Sequence, residues 1–386
     1  MSDPLNNSTA GSAKRAVSLD LARGAMLLLI ALAHAPLYLY ASEPGIMHRV
    51  AGVTFFDQAV NVLGVLVIDN RARAMFAVLF GYGLVLAFKS QISKGKSEQV
   101  ALKTTRRRSW YLIGFGIVLA VLIGGQDILM AYGIAGLLVS PLLTREIKPL
   151  IRILMLITLF YILFIPILWG FNMQNIGGYG FPSEVAANDT LLGTSMIRFI
   201  TFPVIPISIH VMFPILPSVL LGMWMARHQL LTKLEQQINI LKLITGIGLT
   251  VSLLGALPLA LIGAVWHPEL FTAGLLNGLH IVTGIAGGVA YAAIFGIMGA
   301  KLVKPGHFVF SLVALGKRSL TFFVWNEAML VLFLSPAALD LGGHVSNGIA
   351  ALIAVGIWGI SVLLATILEI NHLNGPLERV LRRFVY

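Results

Sequence analysis

Long apolar runs joined by short basic segments set the strongest limit on what this chain can become. The runs lie at residues 24–40, 72–88, 109–125, 127–144, 149–169, 200–225, 239–264, 270–299, 319–336 and 346–367. A helix that crosses a bilayer needs about 20 apolar residues, and inside lipid every backbone polar group must be paired within the protein. The runs therefore predict an all-α, polytopic integral membrane helical bundle of about ten transmembrane helices.

The composition excludes several classes of protein. Hydrophobic residues make up 58% of the chain and charged residues only 11%, whereas soluble domains carry about 25% charged residues. The absence of cysteine excludes disulfides, zinc thiolates, iron–sulfur clusters and a cysteine acyl-enzyme. The net charge of +11 lies between the apolar runs, which indicates topology control and not a nucleic-acid partner.

The distribution of basic residues predicts the orientation of the spans. Placing the N-terminus inside leaves all but four of the 27 Lys and Arg on the cytoplasmic side, as the positive-inside rule requires. The four outside residues are Arg49, Arg71, Arg73 and Arg198. The alternative is eleven spans with the N-terminus outside. This alternative also places the C-terminus in the cytoplasm. We expect a multi-pass protein of the plasma (inner) membrane with a cytoplasmic C-terminus.

One further apolar run differs from the others. Residues 54–68 are few for a span and include Asp57 and Gln58, so they predict an interfacial or re-entrant helix. No internal repeat of the kind found in inverted-repeat transporters is evident in the sequence. We interpret residues 1–386 as a single domain with a polar cytoplasmic tail at residues 1–15.

The first polar constellation opens the first span. Arg23 and His34 are eleven residues apart, which is about three helical turns and roughly 16 Å, so both occupy one helix face with Asp20 near it. Arg23 would lie at the cytoplasmic edge, where it suits the phosphates of an anionic donor, and His34 about halfway across. The alternative is structural: Asp20 pairs with Arg23, and His34 hydrogen-bonds a neighbouring helix.

A second constellation lies at the outer ends of the spans. Arg71 and Arg73 break the positive-inside preference, so an anion should hold them. The candidates are the carboxylates of Asp57, Asp69 and Asp127 and a substrate. Interfacial anchoring of the arginines and N-capping of a helix by Asp127 are the alternatives. Gly81 and Gly83 permit close helix packing.

A third constellation begins the span at residue 319. Lys317 and Arg318 precede a helix start, where backbone amides also favour anions, so this is a candidate phosphate site. Glu327 lies two turns further at mid-membrane depth and needs a basic partner or a proton. A protonated Glu327 within the bundle is the structural alternative. His210 and His280 are better explained by hydrogen bonds between helices, and no spacing resembles a metal motif.

These residues resemble the YeiB-like membrane proteins, long labelled a domain of unknown function. The resemblance runs the length of the chain and is carried by residues 19–24, 71–83, 127–132, 316–321 and 375–382. YeiB-like proteins are grouped with the transmembrane acyltransferases, which include the acyltransferase-three proteins and heparan-α-glucosaminide N-acetyltransferase. The resemblance therefore implies acyl transfer.

Two positions depart from the family pattern. YeiB-like proteins usually have asparagine in place of His34, and the spacing of Arg23 and His34 instead resembles the acyltransferase-three signature. The polar pair that follows the motif at residues 316–321 is replaced by Trp325-Asn326-Glu327.

With this resemblance, the sequence predicts a membrane O-acyltransferase that needs no metal. Acyl-CoA, expected to be acetyl-CoA, would bind from the cytoplasm at Arg23, Lys317 and Arg318. His34 would act as general base on an acceptor hydroxyl or carry the acyl group, and Asp20 would orient Arg23. The residues expected to bind the acceptor are Arg71, Arg73, Asp127, Tyr132 and Glu327.

The expected partners are membrane lipids, acyl-CoA and an acceptor such as an envelope sugar, a glycolipid or a lipid hydroxyl. A homo-oligomer is left open. The main alternative is a transporter or flippase of an anionic lipid or small metabolite, which broken helices and a buried Glu327 would permit. A structural membrane partner is the third reading.

Overall fold

Helices form the regular structure of the protein. The computed structural model describes residues 4–183, 185–262, 265–302 and 306–385, with side chains from residue 17 onward. The helices are α1 (Pro4–His34), α2 (Phe55–Leu63), α3 (Arg71–Ser93), α4 (Glu98–Ile117), α5 (Leu129–Val139), α6 (Ile147–Ile176), α7 (Leu191–Thr201), α8 (Ile205–Met212), α9 (Ile215–Arg227), α10 (Leu234–Leu261), α11 (Leu270–Lys301), α12 (His307–Lys317), α13 (Ser319–Leu334), α14 (Asn347–Ile370) and α15 (Pro376–Val385). Because these residues form no β-strand, the all-α prediction is confirmed. The side chains of the predicted tail and Lys304, one of the basic residues used for orientation, lie outside the described residues.

The described residues contain six helical segments that are long and apolar enough to cross a membrane. These segments are 17–38, 55–93, 147–176, 234–261, 270–301 and 347–370. Two bent pairs, α7 with α8 (68°) and α12 with α13 (89°), raise the number to eight if each pair is one span. The protein is therefore a multi-pass membrane bundle. Its full-length spans are fewer than predicted because several apolar runs form broken or short helices.

The run at residues 54–68 does not stand apart from the next span. Thr54 and Asp57 form a capping box at the start of α2, and the chain continues past a left-handed Asn70 (φ 63°) into α3. The Asp57 carboxylate also accepts a hydrogen bond from the backbone amide of Gly348 at 3.0 Å. Asp57 thus joins α2 to the start of α14, which is a structural role.

The outer helices expose apolar side chains that require a lipid solvent. Phe160 and Leu163 on α6, Leu254 on α10 and Leu363 on α14 are each more than half exposed, and α7 buries none of its residues. Soluble monomers rarely expose contiguous apolar surface of this extent. The core lies instead among α1, α3, α4, α5, α9 and α13.

Small residues let two pairs of helices approach closely. Where α1 meets α12, a methyl group on Gly24 would overlap the α12 backbone, and one on Gly316 would overlap the carbonyl oxygen of Asp20. Gly81 and Gly222 make the same kind of contact between α3 and α9. Such contacts are typical of membrane helices, where close packing replaces the hydrophobic effect. The predicted role of Gly81 is therefore observed.

We expect Gly316→Ala to destabilise the protein because its methyl group has no space against α1. Overpacking of this kind costs about 1–3 kcal/mol, so the apparent Tm in detergent should fall. Gly356→Ala on α14 is the matched control, since a methyl group there meets nothing within 4 Å. Equal Tm values for the two variants would contradict the close α1–α12 contact.

Candidate functional site

His34 and Glu327 form a buried pair between α1 and α13. The imidazole Nδ1 lies 2.7 Å from the carboxylate Oε1, although the residues are 293 positions apart. The Glu327 side chain is fully buried, and 14% of the His34 side chain is exposed. A buried carboxylate without a partner is strongly unfavourable. The sequence singled out both residues without connecting them, and the structure makes each the partner of the other.

The second oxygen of Glu327 is also held. Oε2 accepts hydrogen bonds from the Tyr38 hydroxyl at 3.3 Å and from the backbone amide of Gln126 at 3.2 Å. The same amide lies 3.0 Å from the Tyr38 oxygen. Gly125 lets this loop pass the carboxylate, because a Cβ there would come within 3.0 Å of the Glu327 Cβ. The carboxylate is therefore fixed from three sides.

Asp127 caps α5 and does not reach the arginines of α3. Its carboxylate accepts hydrogen bonds from the backbone amides of Leu129 at 2.9 Å and Met130 at 3.0 Å. A carboxylate at this place satisfies amides that have no partner within the helix. Of the two predicted roles for Asp127, the structure contains the cap.

The Arg71 guanidinium is held by groups of the protein itself, and its predicted place at an acceptor mouth stays a prediction. Its guanidinium is buried and donates to the Ser252 hydroxyl at 2.9 Å, the Ser252 carbonyl at 2.6 Å and the Val65 carbonyl at 3.1 Å. It also contacts the carbonyl of Asp69 and the His280 Nδ1, each at 2.9 Å. These contacts tie α3 to α10 and α11 and occupy the donors that a substrate would use.

The side chain of Tyr132 contacts the backbone of Arg73. The Tyr132 hydroxyl donates to the Arg73 carbonyl at 2.9 Å, and the Arg73 guanidinium lies 3.6 Å from the centre of the Phe213 ring. This cation–π contact gives the Arg73 cation a stabilising partner within the protein. The Tyr132 ring packs on Phe76 and Phe80 and lines a cavity, described next.

Two adjoining cavities open at one end of the bundle, here called the basic end. The basin has a volume of about 490 Å³ and is lined by residues including Arg23, Lys317, Arg318, Asn374 and Arg382. The inner cavity, of about 270 Å³, continues from Arg23 and Lys317 along apolar side chains to Leu129 and Tyr132. Gly83 also lines it, and a Cβ there would meet only the Arg23 guanidinium. Gly83 therefore leaves open space and makes no close helix contact.

The charges of the basin are largely paired. Arg23 lies 3.0 Å from Asp20, while Lys317 and Arg318 lie 2.5 and 2.7 Å from Glu369. Arg318 is 6% exposed, and its remaining donors bind the carbonyls of Ala314 and Leu373. Arg318 therefore holds the bend between α12 and α13, and Arg23 and Lys317 are left as the accessible members of the predicted phosphate site.

The predicted anion site at the start of α13 is filled by the protein itself. The Glu378 carboxylate accepts hydrogen bonds from the backbone amides of Leu320 at 2.8 Å and Thr321 at 3.1 Å. It also accepts one from the Thr321 hydroxyl at 2.5 Å. An anion is stabilised at a helix N-terminus, and here that anion is a side chain of α15.

A third cavity, the outer cavity of about 130 Å³, lies at the opposite end, here called the far end. Its lining includes Tyr38, Asp189, Thr194, Arg198 and Ser335. Sequence reasoning did not select the last four as site residues. The one available signal was Arg198, which was among the four basic residues placed outside.

The His34–Glu327 pair lies between the inner and outer cavities. Along α13, Phe323 lines the inner cavity, Glu327 follows one turn later, and Val331 lines the outer cavity after another turn. A short 3₁₀ extension, Ala35–Tyr38, follows α1 directly. Along α1 and this extension, Met26 lines the inner cavity and Tyr38 the outer cavity, with the histidine between them. Both α1 and α13 thus place the His34–Glu327 pair at the level between the inner and outer cavities. In the part of the chain that the structure describes, no group of His, Asp and Glu could hold a metal ion.

Comparison with known families finds one match, in the C-terminal part of the chain. Residues 225–386 match the model of the DUF418 family, described as a protein of unknown function. These matched residues are called the DUF418 region below. The predicted resemblance to YeiB-like proteins is confirmed over these residues, and membership of the acyltransferase group stays a prediction. Comparison with curated proteins finds no match.

The site is assembled across the boundary of the DUF418 region. Lys317, Glu327 and Glu378 lie inside this region, whereas Arg23 and His34 lie in the first span, far outside it. The His34–Glu327 pair therefore joins the DUF418 region to the N-terminal part of the chain.

We expect His34→Ala to destabilise the protein because it leaves the Glu327 carboxylate buried without its partner. Breaking a buried pair in this way costs about 3–5 kcal/mol. Adding Glu327→Gln removes the stranded charge, so the double variant should have a higher apparent Tm in detergent than His34→Ala alone. If the effects of the two substitutions simply add, the residues are not coupled.

Proposed function

We propose that this protein is a membrane O-acyltransferase that carries an acyl group from acyl-CoA at the basic end to an acceptor hydroxyl at the far end. The observation that carries the proposal is the position of the His34–Glu327 pair between two cavities with different linings. The resemblance of the Arg23 and His34 spacing to the acyltransferase-three signature supports it.

The basic end suits the donor. Arg23 and Lys317 line both the basin and the inner cavity. Phosphates of coenzyme A in the basin would therefore lie beside the entrance to the inner cavity. The walls of the inner cavity include Met26, Phe80 and Phe323, which suit a thioester arm and a short acyl chain. We propose acetyl-CoA as the simplest donor.

The His34–Glu327 pair suits general base catalysis. Glu327 accepts the hydrogen on Nδ1 of His34 and fixes the ring, which leaves Nε2 to accept a proton. Nε2 would take the proton of the acceptor hydroxyl as its oxygen bonds to the thioester carbonyl carbon. The carbon–sulfur bond then breaks, and the imidazolium returns the proton to the departing thiolate of coenzyme A. The products are the O-acyl ester and free coenzyme A.

The outer cavity suits an acceptor that rests in the membrane surface. Arg198, Asp189 and Ser335 offer polar contacts, while α7, which forms one wall, buries none of its residues. A polar cavity beside an exposed apolar helix fits an amphiphilic acceptor such as a glycolipid, an envelope sugar on a lipid carrier or a lipid hydroxyl. We propose that the far end faces outward from the plasma membrane.

His34→Asn should abolish most acyl transfer, because the amide can still hydrogen-bond Glu327 but cannot accept the proton. Loss of a general base lowers rates by about 10²–10⁴-fold. The assay follows release of free coenzyme A from acetyl-CoA by protein in native membranes, where the acceptor is present. His307→Ala, an exposed histidine outside the cavities, should retain full activity. Full activity of His34→Asn would remove the histidine from the mechanism.

The orientation can be tested directly because the chain has no cysteine. A membrane-impermeant maleimide should label Ala187→Cys in intact cells and Arg383→Cys only after permeabilisation. Both positions are exposed, so accessibility within the fold is matched. The reverse pattern would place the basic end outside and contradict a cytoplasmic donor.

Transport of an anionic lipid or metabolite is the second candidate. The 89° break between α12 and α13 favours it, since broken helices commonly form the substrate sites of transporters. Reconstituted vesicles distinguish the two functions: flux of an intact anionic lipid without added acyl-CoA would support transport, and acyl transfer that depends on His34 would support the enzyme.

A further inference from the structure

The C-terminal motif at residues 375–382 has no role in the acyl transfer described so far. It forms α15 and the turn before it. Glu378 and Leu381 line the inner cavity, whereas Arg382 lines the basin. One short helix thus supplies a wall to both cavities of the basic end.

The position of α15 is fixed against α13 by hydrogen bonds. Besides the three bonds that Glu378 accepts, the backbone amide of Leu377 donates to the Thr321 hydroxyl at 3.0 Å. Thr321 therefore donates to Glu378 and accepts from Leu377. At the other end of α15, the rings of Phe384 and Tyr111 stack at 5.8 Å. These contacts hold Arg382 at the rim of the basin.

Arg382 adds to the basin a positive charge that no carboxylate of the described residues pairs with. Arg23 pairs with Asp20, and Lys317 and Arg318 share Glu369. Within the described ranges, Arg382 has no carboxylate partner; its Nη1 lies 3.4 Å from the side-chain oxygen of Asn374. An exposed guanidinium with free donors can bind phosphate in a bidentate manner at little desolvation cost.

We propose that Arg382 binds a phosphate group of a nucleotide-type polyphosphate, namely coenzyme A, and that Glu378 and Thr321 are positioning residues for it. The proposal rests on the proposed function, because it adds a residue of α15 to the residues that would bind the donor of that reaction. Phosphate is also the headgroup chemistry of anionic lipids. Because the basin meets the inner cavity at Arg23 and Lys317, a soluble donor with phosphates at one end and a long, narrow thioester arm at the other fits the arrangement.

The test measures binding of coenzyme A to the full chain in detergent by calorimetry. Arg382→Gln should weaken binding about tenfold or more, and added salt should reduce the difference between the two proteins. Arg383→Gln is the matched control, because Arg383 lies on the same helix, is exposed and lines neither cavity. The control should bind as the unchanged protein does.

A second comparison tests the positioning role. Thr321→Val removes the hydroxyl that joins α15 to α13, whereas Thr321→Ser keeps it. The valine variant should bind coenzyme A more weakly and the serine variant should restore binding, with the apparent Tm reported for each. A fall in Tm with unchanged affinity would overturn the positioning role.

The outcomes separate this proposal from the proposed function. If Arg382→Gln binds coenzyme A as tightly as Arg383→Gln, the role of Arg382 is overturned, and the acyl transfer by His34 is unaffected. If the unchanged protein binds no coenzyme A, the donor and the role of Arg382 both fail. If Arg382→Gln instead loses binding of short-chain phosphatidylglycerol and keeps that of coenzyme A, the residue is a lipid contact and the proposal is wrong.

Discussion

The cost of placing a carboxylate inside a membrane governs the centre of this protein. Glu327 is fully buried, and its two oxygens contact His34, Tyr38 and the backbone amide of Gln126. These partners come from α1, its 3₁₀ extension and the loop before α5. Because the carboxylate needs all of them, it fixes these segments around α13. Each of the two cavities takes part of its wall from these segments, so one electrostatic requirement bears on both the stability and the site.

The arginines of the candidate site fall into two kinds, and the difference decides which can bind a ligand. The donors of Arg71 and Arg318 are used by carbonyls, a hydroxyl, an imidazole and a carboxylate of the protein. Arg23 contacts Asp20 and borders open space beside Gly83. A cation of the first kind joins helices. A cation of the second kind can exchange part of its contacts for a phosphate.

The sequence predicts the helical membrane class well, because apolar runs with few charges have no other stable fold. It predicts the number of full-length spans less well, since hydropathy does not reveal that the chain bends at Arg318 or that α5 is short. His34 and Glu327 were selected as ionisable residues in lipid, but residues 293 positions apart carry no local sign of contact. The sequence does not reveal that groups of the protein already use the donors of Arg71. The sequence gives no sign that Glu378 caps α13, because Glu378 lies 58 residues after Leu320 and 57 after Thr321.

The order in which the helices are made gives the His34–Glu327 pair a further consequence. Chains enter the membrane from their N-terminal end as they are synthesised, so α1 is in place long before α13 leaves the ribosome. A neutral histidine ring can lie in lipid without a partner at a moderate free-energy cost, whereas the cost for an ionised carboxylate is much larger. His34, which is stable in lipid as a neutral side chain, is therefore inserted first. Glu327, which needs a partner, is inserted when His34 is already present. Reversing the two side chains would keep the contact in the finished protein but would leave a lone acid in the membrane during most of synthesis.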